Sequence, residues 1–279
     1  IFDYPFTYES SLKLKTGDYV NVPFGKRSVT GVVWDKFEGN FNKKFKIKLI
    51  KEKLNIEPLK QQTIDFLNWF SEYNLAPLGM TLKLHLLSGK AIEKQKNSEY
   101  QKYQIGFNKD KFLLSDEQKK VFRELVLNDS SFRVHLLQGT TGSGKTIVYF
   151  KAIDKIIFQG YQSLILLPEI GLTGEFEKKF KKFFGFEAAV WHSKISPKRK
   201  KVIWSGLAIG KIKVVIGARS SLFLPFKKLG LIVVDEEHDQ SFKQDEGVTY
   251  NARDMAIARA NSENIPINLV TAVPSIETF

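Results

Sequence analysis

The segment Gly139-Thr140-Thr141-Gly142-Ser143-Gly144-Lys145-Thr146 has the make-up of a loop that grips phosphate. Glycines at 139, 142 and 144 let the backbone curl until successive amides face one point and donate to phosphate oxygens. Thr140, Thr141 and Ser143 fill the turns between them. Lys145 is placed to reach the β and γ phosphates of ATP. Thr146 offers a hydroxyl to Mg, which neutralises phosphate charge as the terminal bond breaks.

A second set lies in Leu231-Ile-Val-Val-Asp-Glu-Glu-His238. Ligands of open α/β sheets bind beyond the carboxyl ends of the strands, and Asp235 and Glu236 follow an apolar run at such an end. Asp235 is expected to hold the metal through its water shell, and Glu236 to orient and deprotonate the attacking water. Taken alone, an acidic strand end is more often an ordinary solvated one. Its pairing with the loop at Gly139 reverses that preference.

His238, Phe242, Lys243 and Tyr250 follow the acidic pair, and their rings and charge suit contact with a nucleic-acid strand that responds to phosphate. A surface loop with two packed aromatics is the plainer reading. Lys178, Lys179, Lys181 and Lys182, like Lys198 to Lys201, read as solvated helix faces.

These groups need a scaffold. Apolar runs at Val134–Leu137, Ser163–Leu167, Ala188–Trp191, Val214–Ile216, Leu231–Val234 and Ile267–Val270 are mostly separated by helical segments. That alternation predicts an α/β lobe whose parallel sheet is covered on both faces. Ser115, with Gln118 three residues on, predicts a capping box that opens a helix through Val121 to Leu127. Upstream, Tyr19–Phe24, Ser28–Trp34 and Phe41–Ile50 read as strands around Gly25. In the last of these, Phe45, Ile47 and Leu49 alternate with Lys44, Lys46 and Lys48. Glu57–Tyr73 has the spacing of a helix. Residues 91–111 are poor in large apolar side chains and read as a linker between a β-rich domain over 1–90 and the lobe over 112–279.

The 279 residues, 43% hydrophobic, suffice for a sizeable core and two domains. Lysine and arginine exceed aspartate and glutamate by 43 − 30 = +13, which attracts polyanions, although charge alone fits a solvated basic surface equally well. With no cysteine, disulfides, thiolate catalysis and a structural zinc site are not expected. No stretch resembles a membrane span or a signal peptide, so a cytoplasmic location is expected. The chain reads as a fragment.

With the phosphate loop, the box at Asp235 to Asp239 and Pro168-Glu-Ile-Gly-Leu-Thr173 in view, the sequence resembles the PriA family of superfamily 2 helicases, primosomal proteins that restart stalled replication forks. The likeness extends through Gly217-Ala-Arg-Ser-Ser-Leu-Phe223, Pro225-Phe226-Lys227 and Tyr250-Asn-Ala-Arg-Asp254. In the first domain it covers Phe2-Asp3-Tyr4, Val22-Pro-Phe-Gly-Lys26 and Ala76-Pro-Leu-Gly79. The resemblance implies a 3′-end-binding domain followed by one RecA-like lobe. Phe2, Asp3, Gly25 and Lys48 would line the end pocket, with Phe2 as core and Asp3 as a cap the plain alternative. Arg219 would support single-strand backbone contacts, Gln118 would lie near the adenine, and the loop after the acidic box would couple DNA binding to hydrolysis. Forked and single-stranded DNA, single-stranded DNA-binding protein and primosome proteins are the implied partners, with no membrane.

Four departures qualify the likeness. Residues 90–111 are too short for the family's winged-helix domain, and Val248 stands where tryptophan is common. Thr271-Ala-Val-Pro274 replaces Ser-Ala-Thr-Pro, which loses a hydroxyl at Val273. The sequence stops where a first lobe would end, so this piece by itself is expected to bind ATP weakly and hydrolyse it poorly. Two rivals follow, a double-strand DNA translocase and a non-catalytic fork-binding module with a decayed motor.

Overall fold

The computed structural model describes residues 3–36, 47–86, 96–104, 112–126 and 131–278, which fall into two units, Ile1–Gln95 and Lys96–Phe279. In the first, β1 (Tyr19–Phe24) pairs antiparallel with β2 (Arg27–Val32) across the turn at Gly25, where φ is +59°. β3 (Glu52–Lys53) joins the other edge of β1. The strand expected over Phe41–Ile50 lies partly outside the described residues. Its end forms an isolated Glu9–Leu49 bridge, and Leu49 is 58% exposed. The ladder onto β1 is taken instead by Lys51 N–H and Leu54 N–H, which donate to Asn21 O and Tyr19 O.

Helix α1 (Gln61–Tyr73) starts four residues later than its spacing suggested. Leu59 is the cause: it is buried, its N–H donates to Gly17 O at 2.8 Å, and that bond holds the approach extended. Helix α2 (Leu78–His85) follows Pro77, and the buried His85 meets Tyr19 Oη at 2.7 Å. Ile64, Phe66, Leu67 and Phe70 close the core of this unit.

The second unit begins within the expected linker, because Asn97–Tyr103 forms a 3-10 helix with Tyr100 and Tyr103 buried. Tyr100 Oη lies 2.9 Å from Ser205 Oγ in a helix of the same unit. Next come α3 (Asp116–Val126), β4 (Arg133–Gln138), α4 (Lys145–Phe158), β5 (Gln162–Leu166), α5 (Gly174–Phe184) and β6 (Ala189–Trp191). They are followed by α6 (Pro197–Ala208), β7 (Val214–Gly217), β8 (Leu229–Asp235), the short β9 (Lys243–Gln244) and β10 (Tyr250–Asn251), α7 (Ala252–Glu263) and β11 (Pro266–Thr271).

All six predicted apolar runs are strands of one parallel sheet, in the order β4-β11-β8-β5-β7-β6. The edge strand β4 is less covered than its apolar run suggested. Val134 is 45% and Leu136 39% exposed, since an edge strand has a sheet neighbour on one side only. On the other face of the sheet, Phe150 of α4 packs with Phe176, Phe180, Phe183 and Phe184 of α5 at ring separations of 5.2–5.8 Å. This aromatic core fixes the axis of α4, and with it the direction in which the phosphate loop points. No helix among the described residues is long and apolar enough to cross a membrane.

Candidate nucleotide-binding site

Strand order gathers the site. β11 lies between β4, which runs into the phosphate loop, and β8, which ends at Asp235. Gln138 is level with Thr271, and Val270 with Asp235. Three segments distant in sequence thereby meet at one sheet edge, the one where α/β folds bind ligands.

Gly142 and Gly144 adopt φ of +83° and +84°, a backbone that side chains disfavour, and Gly144 is the N-cap of α4. Lys145 Nζ folds back on the loop, donating to the carbonyls of Gly139 and of Thr140, the latter at 3.1 Å. These are ammonium contacts that a phosphate would replace. Residues 140–143 are exposed above a buried α4, and the following helix directs its positive end at the loop.

The predicted capping box is present: Gln118 N–H donates to Ser115 Oγ at 3.2 Å, and Ser115 N–H to Gln118 Oε1 at 3.0 Å. Gln118 Nε2 also donates to Ser143 O at 2.9 Å. The amide expected near an adenine here braces the phosphate loop. A Cβ on Gly144 would lie 2.5 Å from that same Nε2, so a side chain there would displace the brace, while the positive φ is what favours glycine.

Asp235 is 9% exposed. Its Oδ2 accepts from Tyr149 Oη at 2.7 Å, and its Oδ1 from Glu236 N–H at 3.0 Å. Burial pushes its carboxyl above the usual aspartate range, with the Tyr149 hydrogen bond opposing. Tyr149 is fully buried, and that burial, with the Asp235 charge next, holds its hydroxyl well above the ordinary value. The Thr146 side chain works against that rise in the Tyr149 hydroxyl. One tyrosine thus holds Asp235 and feels Thr146, the two expected metal ligands, and sequence reasoning missed it. The available signal was position, since residues 146 and 149 stand one helical turn apart.

Among the described residues no three acidic or histidine side chains converge so as to hold a metal ion by themselves. One hydroxyl and one carboxylate beside a phosphate cradle fit Mg, which keeps several waters and shares phosphate oxygens. Glu236 has φ of +52°, a strained backbone for a non-glycine residue, and its side chain is about half exposed. Its carboxylate lies 3.8 Å from His238 Nδ1.

Thr271 Oγ1 donates its single proton to Val273 O at 2.8 Å, so its contact at 2.8 Å with His238 Nδ1 must be a bond donated by the histidine. The hydroxyl absent from Val273 is thus not the one that ties the acidic box to the segment after β11, and the Val273 side chain is 69% exposed. Glu237, unassigned from the sequence, is 1% exposed and points inward.

The loop after the box differs from its reading as a stacking surface. Asp239 caps a short turn by accepting from Ser241 N–H at 2.7 Å, which carries Phe242 inward to 1% exposure. Tyr250 and Val248 are also buried, with Tyr250 edge-on to Phe223 at 5.8 Å. Lys243 stays exposed, and its carbonyl accepts from Arg219 Nη1.

In the first unit, Phe2 lies outside the described residues. Asp3 Oδ1 accepts from Leu78 N–H, the first amide of α2, at 3.1 Å, as a cap does. Gly25 and Lys48 are exposed, and a Cβ at Gly25 would meet nothing within 4 Å.

Comparison with known proteins covers both units. The DEAD/DEAH box helicase profile matches residues 115–279, and the profile of the PriA 3′DNA-binding domain matches residues 1–86. Replication restart protein PriA of Rickettsia conorii is 42% identical over 279 residues, 100% of this chain and 42% of that protein. PriA of Helicobacter pylori is 33% identical over 283 residues, 99% of this chain and 42% of that protein. The structure of RecG bound to a three-way DNA junction is similar at a TM-score of 0.46 and 23% identity, over 76% of this chain and 27% of that one. The chain thus spans less than half the length of the relatives it matches.

Proposed function

This chain belongs to the DEAD/DEAH box helicase family and is similar along its length to PriA proteins, and from that premise we propose that it is the ATP-binding and DNA-engaging part of a replication-restart motor. The observation that carries the reading is the alignment of Gln138, Thr271 and Asp235 at the carboxyl ends of three neighbouring strands, the first of which leads into the loop that carries Lys145 and Thr146. Backbone amides of residues 140–146 and Lys145 take the triphosphate, and Lys145 gives up its carbonyl contacts to do so. Thr146 and Asp235 hold Mg, which when bound neutralises phosphate charge. Glu236 orients the attacking water and receives its proton. His238, anchored to Thr271 through Nδ1–H, stands beside that carboxylate.

The amino-terminal unit captures a nascent 3′ end. Its match to the 3′DNA-binding domain profile and the exposed Asp3, Gly25 and Lys48 support this. Arg219 engages the backbone of a single strand. The buried Phe242 and Tyr250 favour a structural part for the loop that follows the acidic box.

Two binding measurements test the reading. Titration of a fluorescent ATP analogue with Mg gives saturable binding to the chain and a large loss for Lys145→Ala; equal affinity would refute the site. Forks ending in a 3′ hydroxyl bind more tightly than forks ending in a 3′ phosphate, and equal binding would remove the end-capture role.

A further inference from the structure

Glu237, the acid of the box that faces inward, is surrounded by donors. Ser275 N–H donates to its Oε1 at 2.9 Å, while Thr278 Oγ1 at 2.7 Å and Ser275 Oγ at 3.2 Å donate to its Oε2. Arg253 Nη1 is 3.4 Å from the same oxygen and donates to Ser275 Oγ at 2.7 Å. Arg253 Nε donates to Asp254 Oδ1 at 2.8 Å. The start of α7 is thus clamped to the acidic box by a side chain two residues from Asp235.

The far part of α7 is clamped elsewhere. Arg259 is fully buried, donates from Nη2 to Leu224 O at 2.9 Å, and sits 5.3 Å over the ring of Phe226. Leu224 ends the 3-10 turn Arg219–Phe223. Six residues separate the two arginines, which on a helix is about 9 Å of rise and about 240° of rotation, so each serves a different neighbour.

Both ends of α7 are also fixed. Asn251 Oδ1 accepts from Arg253 N–H at 3.0 Å, and Asn264, at φ +53°, accepts from Phe132 N–H at 3.0 Å. Between them Ala252, Ala256 and Ala260 are buried, and small side chains let the helix lie close against its neighbours. A buried guanidinium is expensive to desolvate, and simple packing would be served as well by an apolar residue.

We infer that α7 is a strut carrying the position of the acidic box to the turn that bears Arg219, with Arg253 and Arg259 as its two positioning residues. The inference rests on the proposed nucleotide and strand sites. If the box shifts when phosphate and metal arrive, Glu237 moves the first arginine, and the second moves the Leu224 carbonyl and the turn. The coupling is mechanical and reciprocal, so a bound strand alters nucleotide affinity by the factor with which nucleotide alters strand affinity.

The test is the affinity of the chain for fluorescent ADP with Mg, measured with and without an oligo-dT strand. Wild type is expected to show a ratio of about fivefold or more, within the usual range for coupled sites. Arg253→Lys and Arg259→Lys keep the charge but lose the planar fork. Each is expected to bring the ratio to near one while leaving strand-free nucleotide affinity within about twofold, and the double variant loses no more than either single one. A ratio unchanged in folded variants, or a wild type that binds both ligands without coupling, overturns the strut. A wild type that binds no nucleotide overturns the proposed function itself, and is recognised because the strand-free titration fails first. Hydrogen exchange on the wild type serves even if a variant unfolds: amides of residues 219–226 must change protection when nucleotide binds, and constancy there rejects the inference.

Discussion

The acidic edge of the second unit and the candidate end pocket of the first hold their residues in opposite ways. Asp235 is buried and bonded through both oxygens, one of them to the buried Tyr149, and Lys145 and Gln118 brace the loop. Asp3, Gly25 and Lys48 stand exposed, and the one side-chain bond of Asp3 above is to a helix amide. A site that must place charge against a transferring phosphate is built before its ligand comes, since reorganisation would otherwise fall in the reaction itself. A pocket that only retains a strand end can stay open and polar.

Substitutions sharpen or break this contrast, and the largest effect is expected at Lys145. Replacing it with alanine removes charge-assisted hydrogen bonds to phosphate worth about 3 kcal/mol together, roughly a hundredfold in nucleotide affinity by equilibrium titration. A comparable loss from Lys48→Ala would erase the difference between the two sites.

Asp235→Asn comes next and separates binding from stability. The folded chain holds the Asp235 proton more tightly than the unfolded chain, whose carboxyl titrates near pH ~4, because burial raises the folded value. The unfolded chain therefore ionises first as pH rises, and the fold loses stability from about pH 4 up through the raised folded value. Asparagine removes that loss, and Tyr149 can turn its hydroxyl to accept from the new amide. The variant is expected to melt higher than wild type at neutral pH, to lose the advantage in acid, and to bind nucleotide with little dependence on Mg. A lower melting temperature at pH 7 would contradict the assignment.

Tyr149→Phe strips a donor from the buried carboxylate and is expected to cost about 1–2 kcal/mol in denaturant unfolding. An unchanged midpoint would mean the hydroxyl bridge contributes nothing. The smallest effect belongs to the first unit, where Gly25→Ala has open space but the wrong backbone preference and should cost about 1 kcal/mol.

What the sequence revealed, and what it hid, follows the range of the interactions. The glycine turn into α4, the capping box at Ser115 and Gln118 and the six apolar strands were readable because each depends on residues within a few positions of one another. Tyr149 and Glu237 were not, since their partners come from β8, α7 and the segment after β11, and only strand order unites these. Phe242 was open to either reading from the sequence, and the packed one holds because the Asp239 turn carries the ring inward. The late start of α1 came from a bond between Leu59 and Gly17, a contact across 42 positions that helical periodicity does not register.

Lys145, Thr146 and Asp235 are proposed to form one site for a nucleotide and its metal ion. Crystals of the chain soaked with Mg and a non-hydrolysable ATP analogue test it most directly. Phosphate oxygens are expected on the amides of residues 140–146, with Lys145 turned from the Gly139 carbonyl toward the β and γ phosphates and a metal ion between Thr146 and Asp235. Phosphates bound away from the loop, or a metal remote from Asp235, would contradict it.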